Sequence, residues 1–171
     1  MQINVCSLTL LDATVKAIGA DRIVTLINVG TPVLRPASVH QDNHLFLGMN
    51  DVVVAAEGEI LPGEDHLDRL LAFVTSWDKA KPLVIHCYAG VSRSTAAAYT
   101  AALALDPTWD EHELARLLRQ RSPTATPNAR IIELADRRLC RGGRMVDAIR
   151  SIGRGSDCFE GTPFSLPIRR T

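Results

Sequence analysis

The chain has 171 residues, 46% of them apolar, enough to bury one core of ordinary domain size. Its 19 basic and 19 acidic residues balance, which excludes a global attraction for nucleic acid or an anionic membrane and leaves any affinity for an anion to a local site. The four cysteines, Cys6, Cys87, Cys140 and Cys158, include no Cys-x-x-Cys pair, so neither a zinc site nor a thioredoxin-like motif is indicated, and a reducing cytoplasm is the expected setting.

Apolar, β-branched runs at Gln2–Cys6, Arg22–Val29, Leu45–Met49 and Pro82–Cys87 predict short strands, the first two flanking a small helix from Asp12. No segment reads as a secretory leader, and no apolar run approaches the roughly 20 residues that span a bilayer, so a soluble, unsecreted protein is expected. Leu67, Leu70, Leu71 and Val74 carry the spacing of an amphipathic helix entered through Pro62 and Gly63. Ser94–Leu105 is alanine-rich and almost wholly apolar, which predicts a central helix buried all round.

Asp110 with Glu113 has the form of a capping box before Leu114, Leu117 and Leu118, and Asn128 is placed to cap a helix carrying Ile131, Ile132, Ala135 and Leu139. After Arg141 glycines multiply, so a short helix over Val146–Ile149 and a partly mobile tail from 153 are expected. No repeat or linker interrupts the chain, and the strand–helix alternation predicts a single layered α/β domain over residues 1–171.

The segment Pro82-Leu-Val-Ile-His-Cys-Tyr-Ala-Gly-Val-Ser-Arg-Ser94 carries chemistry. It sets Cys87 at the end of a strand and Arg93 at the start of a helix, with five residues between them. A strand-to-helix turn aims backbone N–H groups and the positive end of the helix dipole into one concavity, which suits a phosphate dianion. The same field stabilises a thiolate, so Cys87 is expected to react in that form. Arg93 offers a planar fork of donors for two phosphoryl oxygens, and Gly90 permits a tight turn close to the anion. The competing structural explanation is a buried strand-end cysteine and a surface arginine.

His-Cys-x5-Arg-Ser, together with the preceding strand, Gly90 and the following apolar helix, resembles the signature loop of the protein tyrosine phosphatase superfamily, in its small dual-specificity-like branch. The resemblance implies a three-layer α/β fold with a central, mostly parallel sheet of four to five strands flanked by helices. It further implies that Cys87 is the nucleophile, passing through a phosphocysteine. Arg93 would clamp the phosphate, Ser94 would help the thiolate leave, and His86 would support the loop. Tyr88, Ala89, Gly90, Val91 and Ser92 would bind phosphate together with Arg93. No metal or cofactor is implied.

Ester cleavage needs a proton for the leaving oxygen, and the second step needs a base. Asp51, just after the third strand, resembles the strand–Asp–loop arrangement of dual-specificity phosphatases and is the expected donor. Glu57, Glu59, Glu64 and Asp65 lie on the same connection, Asp65 ranking second. The Trp-Pro-Asp motif of larger tyrosine phosphatases is absent, since Met49 and Asn50 precede Asp51. Asn128, after Pro127, resembles the element that braces the loop in this branch, although helix capping explains it equally.

Three weaker patterns have ordinary explanations. His40 and His44 flank Asp42 but have no well-spaced third ligand for a metal. Arg137, Arg138, Arg141, Arg144, Arg150 and Arg154 read as a solvated basic face, with docking of an acidic substrate as the alternative. Cys6 or Cys140 would be candidate partners for an oxidised Cys87.

The expected activity is hydrolysis of phosphate monoesters. No lysine or extra arginine lies within Tyr88–Ser92, where phosphoinositide and polyphosphate members of the resembled superfamily often carry basic residues, so the resemblance implies a phosphotyrosine or dual-specificity phosphoprotein substrate. The alternatives are a pseudophosphatase that binds phosphorylated partners, or an enzyme for a small or non-protein phosphoester. Arsenate reductases and low-molecular-weight phosphatases carry a similar loop near the N-terminus, and rhodaneses use a different one. The position of Cys87 disfavours all three. Nothing in the sequence specifies an oligomeric state.

Overall fold

The computed structural model describes residues 1–169. Its strands are β1 (Gln2–Cys6), β2 (Arg22–Ile27), β3 (His44–Gly48), β4 (Leu83–His86) and β5 (Phe164–Pro167), joined in one sheet of order β3-β2-β4-β1-β5. The first four run parallel, and β5 adds to the β1 edge antiparallel. The flanking helices are α1 (Leu11–Ile18), α2 (Glu64–Thr75), α3 (Arg93–Leu105), α4 (Glu111–Arg121), α5 (Ala129–Arg138) and α6 (Arg144–Ser151). The expected three-layer, mostly parallel sheet is the one observed. No helix among the described residues is long and apolar enough to cross a membrane.

Side chains of the strands alternate between two apolar layers. Val24, Leu26, Leu83 and Ile85 join the larger core with α2 to α6, while Ile23 and Val84 meet Leu11 and Val15 of α1 on the other side. Both faces are covered, so the central strands read as continuous apolar runs instead of alternating ones. Every α3 residue from Arg93 to Leu103 is buried, and its alanines let the helix approach the sheet closely.

Two helix starts depend on single side chains. Asp110 Oδ1 accepts from Glu113 N at 2.8 Å, and Asn128 Oδ1 accepts from Ile131 N at 3.1 Å. Each cap satisfies a backbone donor that the helix leaves unpaired. Arg141 departs from the expected solvated face. It is buried, and its Nη1 and the Nε of Arg144 both meet Glu111 Oε1 at 3.1 Å, tying the start of α6 to α4.

The sheet's topology places the site. β1 and β4 are neighbours, yet α1 packs on one face and α3 on the other, so the connections leaving their carboxyl ends diverge. The gap between diverging connections is where open α/β sheets bind ligands. The turn from β4 into α3 sits in that gap.

Candidate active site

Cys87 directly follows β4 and is 2% exposed. Its Sγ lies 3.1 Å from Ser94 Oγ and accepts from Gly90 N at 3.3 Å. The loop between Cys87 and Arg93 is held from outside by its carbonyls. Leu8 N donates to Tyr88 O at 3.0 Å, Gly161 N to Ala89 O at 2.8 Å, Thr126 N to Val91 O at 2.9 Å and Asn128 N to Ser92 O at 3.3 Å. A trans peptide turns the next N–H to the side opposite its carbonyl. Outward carbonyls at these positions therefore aim the N–H groups of Ala89, Gly90, Ser92 and Arg93 inward, around the sulfur.

Gly90 makes that wrapping possible. Its φ is +74°, and a Cβ there would lie 2.8 Å from Cys6 C and 2.9 Å from Ser7 N. The loop thus lies directly on the end of β1. Gly161 meets it from the other side, where a Cβ would sit 3.1 Å from Gly90 O.

Arg93 begins α3 and is 5% exposed. Its Nη1 donates to Asn28 Oδ1 and to Met49 O, each at 2.7 Å, which fixes the plane of the guanidinium from the ends of β2 and β3. Its Nε has no hydrogen-bond partner among the described residues and stands 3.9 Å from Asp51 Oδ2. A buried, unused guanidinium donor is costly unless an acceptor comes to it.

Asp51 is reached from β3 through Met49 and Asn50. Its Oδ1 accepts from Ser92 Oγ and from Asn128 Nδ2, both at 2.8 Å. The loop that bears it is pinched shut, because Asn50 N donates to Ile60 O at 2.8 Å and Ile60 N donates to Asn50 Oδ1 at 3.0 Å. His66 of α2 adds a clip. Its Nδ1 accepts from Gly63 N at 3.1 Å, which leaves the proton on Nε2 to donate to Gly48 O at 3.1 Å.

His86 directly precedes Cys87. Its Nδ1 faces Cys87 O at 3.2 Å, and a carbonyl can only accept, so Nδ1 carries the proton. Its Nε2 then accepts from Thr25 Oγ1 at 2.6 Å, and Thr25 in turn accepts from His44 Nε2 at 2.8 Å. Burial is the main reason that the His86 pKa falls to about 4, with the bond to Cys87 O opposing the shift and His44 reinforcing it. Burial, then the charge of Arg35, also lowers that of His44. His86 is therefore a neutral strut.

A cleft of about 610 Å³ opens above Cys87, lined also by Asn28, Thr31, Asp51, Glu59, Tyr88, Arg93 and Cys158. Of the carboxylates weighed against Asp51, Glu59 joins this lining. Glu57, Glu64 and Asp65 do not, and Glu64 and Asp65 occupy the first turn of α2. All four cysteines are free. Cys6 is buried, its pKa pushed up to about 12, mainly by burial. Cys140 is exposed just beyond α5, and Cys158 is on the cleft wall. His40 and His44 serve separate hydrogen bonds, His40 Nδ1 accepting from Asp42 N at 3.3 Å.

The structure thus brings Cys87, Arg93, Ser94, Asp51, Asn128 and His86 together with Tyr88, Ala89, Gly90, Val91 and Ser92. Sequence reasoning missed Asn28, Thr25 and the Met49 carbonyl. Asn28 and Thr25 lie on or beside an apolar strand with no motif of their own, and only the pairing of β2 with β3 and β4 sets them beside the loop. A polar residue at the carboxyl end of such a strand was the one available signal.

No protein-family model matches the sequence, and no curated protein does. Solved structures do match. DUSP15 aligns with a TM-score of 0.65 over 88% of this chain and 89% of its own, at 13% identity. Human DUSP28 aligns at 0.63 over 81% and 92%, with 15% identity, and the PTP-2 phosphatase of Cydia pomonella at 0.62 over 79% and 84%, with 20% identity. The chain has the fold of the tyrosine and dual-specificity phosphatases.

Proposed function

We propose that the protein hydrolyses phosphate monoesters through a phosphocysteine formed on Cys87. The observation that carries this reading is the convergence of Cys87 Sγ, the unpartnered Arg93 Nε and the Asp51 carboxyl group on one cleft. In the first step the Cys87 thiolate attacks phosphorus opposite the ester oxygen. The P–O bond breaks as the P–S bond forms, and Asp51 gives its proton to the departing alcohol or phenol. Arg93 and the inward N–H groups hold the non-bridging oxygens as their charge redistributes.

In the second step Asp51, now a carboxylate, takes a proton from water as that water attacks phosphorus. The P–S bond breaks, and Ser94 Oγ, 3.1 Å from the sulfur, donates to the returning thiolate. Inorganic phosphate leaves. Asn28 and the Met49 carbonyl keep the guanidinium in the plane that this grip requires. The substrate we favour is a phosphoprotein, on phosphotyrosine or with dual specificity, because Arg93 is the one basic side chain among the described residues lining the cleft. A cytoplasmic setting suits the free, reactive thiol.

Turnover of p-nitrophenyl phosphate in the presence of a chelator tests the proposal. Activity that survives the chelator and vanishes in Cys87→Ser agrees with it. Activity retained by the serine variant overturns it.

A further inference from the structure

A second cleft adjoins the phosphate site, of about 560 Å³ and lined on one wall by Val52, Val53, Val54 and Ala56 and on the other by Pro127 and Ala129. The two clefts share Asp51, Val52 and Ser92, so a ligand seated over Cys87 passes directly into the second one. Six of its lining residues are apolar and the others are Asp51, Ser92, Thr126 and Asn128. The valine wall is open, with Val53 51% and Val54 71% exposed. Exposed valines gain nothing from water, and an apolar group laid on them would cover that surface.

The groove is built before any ligand arrives. Asn128 Nδ2 donates to Val52 O at 3.3 Å as well as to Asp51, joining one wall to the other. The Asn50–Ile60 pinch closes the loop behind the valines. Preformed walls reduce the ordering that binding must pay for.

The charges decide between occupants. Among the described residues lining the two clefts, Arg93 is the one basic side chain, and Asp51 and Glu59 are acidic. An anionic lipid surface or a polyphosphorylated headgroup calls for several lysines or arginines around the mouth. A phosphopeptide calls for none, once its phosphate is held.

We propose that this cleft takes an apolar side chain flanking the phosphorylated residue of a peptide substrate, so that Val53, Val54 and Ala129 set sequence preference. The inference rests on the phosphatase reading given above and adds to it a preference for the residue beside the phosphorylated one.

The test is a set of phosphotyrosine peptides with Ala, Leu, Phe, Lys or Glu at each position flanking the phosphotyrosine, turned over beside p-nitrophenyl phosphate. At one flanking position Leu or Phe is expected to raise kcat/KM about tenfold over Ala, mainly through KM, the scale on which apolar pockets discriminate. Val54→Glu, at an exposed loop position, should erase that preference and leave p-nitrophenyl phosphate turnover unchanged. Ala129→Glu, whose charge suits a helix N-terminus, should act likewise from the facing wall.

A flat peptide profile, or a preference untouched by both variants, overturns the proposal. So does turnover of phosphatidic acid in vesicles that exceeds every peptide and is lost in Val54→Glu, since the cleft would then hold an acyl chain. Calorimetric binding of the same peptides to Cys87→Ser separates the two readings. Silence towards p-nitrophenyl phosphate defeats the phosphatase reading, whereas the binding preference alone decides the cleft.

Discussion

Asn128 Nδ2 donates to Asp51 Oδ1 at 2.8 Å across 77 positions of sequence. The same asparagine caps α5 through its Oδ1 and holds Ser92 O through its N–H. One residue therefore ties the Asp51 loop, the turn from Cys87 to Arg93 and a helix start into a unit. Asn128→Ala should cost about 1 kcal/mol of stability for the lost cap. It should also slow phenyl phosphate about tenfold, a part of what acid catalysis contributes, while p-nitrophenyl phosphate, whose leaving group barely needs a proton, changes little. Equal losses on both substrates would reduce Asn128 to a structural role.

Asp51→Asn removes the proposed proton donor while keeping its size and an acceptor oxygen. The expected loss on phenyl phosphate is about 10²–10⁴-fold, with the limb of the pH–rate profile that requires a protonated group disappearing. An unchanged profile would transfer the role to Glu59, the other carboxylate on the cleft wall.

Arg93→Lys keeps the charge and loses the fork. Lysine cannot serve Asn28, Met49 O and a phosphoryl oxygen in one plane, so kcat should fall about 10²–10³-fold. A mild loss confined to KM would show that charge alone suffices.

Acid should unfold the protein through its buried histidine. An unfolded histidine takes up a proton near 6.5, whereas His86 in the fold does so only near 4. Between those values the unfolded chain binds more protons, so the contribution is complete above about pH 6.5 and is lost as pH falls toward 4, reaching about 3 kcal/mol. His44, shifted the same way, adds to it. Denaturation midpoints across this range should fall with pH, and the slope should flatten in His86→Gln. A slope unaltered by that substitution would place the titration elsewhere.

Gly90→Ala should destabilise the fold by about 1–3 kcal/mol, because the residue holds positive φ. The contact with the Cys6 and Ser7 backbone adds to this and displaces the loop. Urea unfolding measures the first effect and p-nitrophenyl phosphate turnover the second.

Much of this arrangement was legible in the sequence because its signals are local. Leu83–His86 and Arg22–Ile27 are buried on both faces and so read as continuous apolar runs. Asp110 and Asn128 cap the helices that directly follow them. The Cys87–Arg93 spacing lies within one short turn of the chain. What escaped depends on distant pairing. The run over Arg22–Val29 stops being a strand at Ile27, where Asn28 turns to Arg93 65 positions away. β5 ends in Pro167 and lies at a sheet edge, where a missing N–H is tolerated, so its composition resembled a tail. Thr25 looks like one more β-branched strand residue until β4 sets His86 beside it.

Covalent transfer to Cys87 is read directly by rapid acid quench followed by peptide mass spectrometry. Asp51→Asn, mixed with p-nitrophenyl phosphate, should slow the second step more than the first. The peptide containing Cys87 should then carry the added mass of one phosphoryl group, formed in a burst with one equivalent of nitrophenol. A burst-free time course with that peptide unmodified, in an enzyme that is turning over, would contradict it.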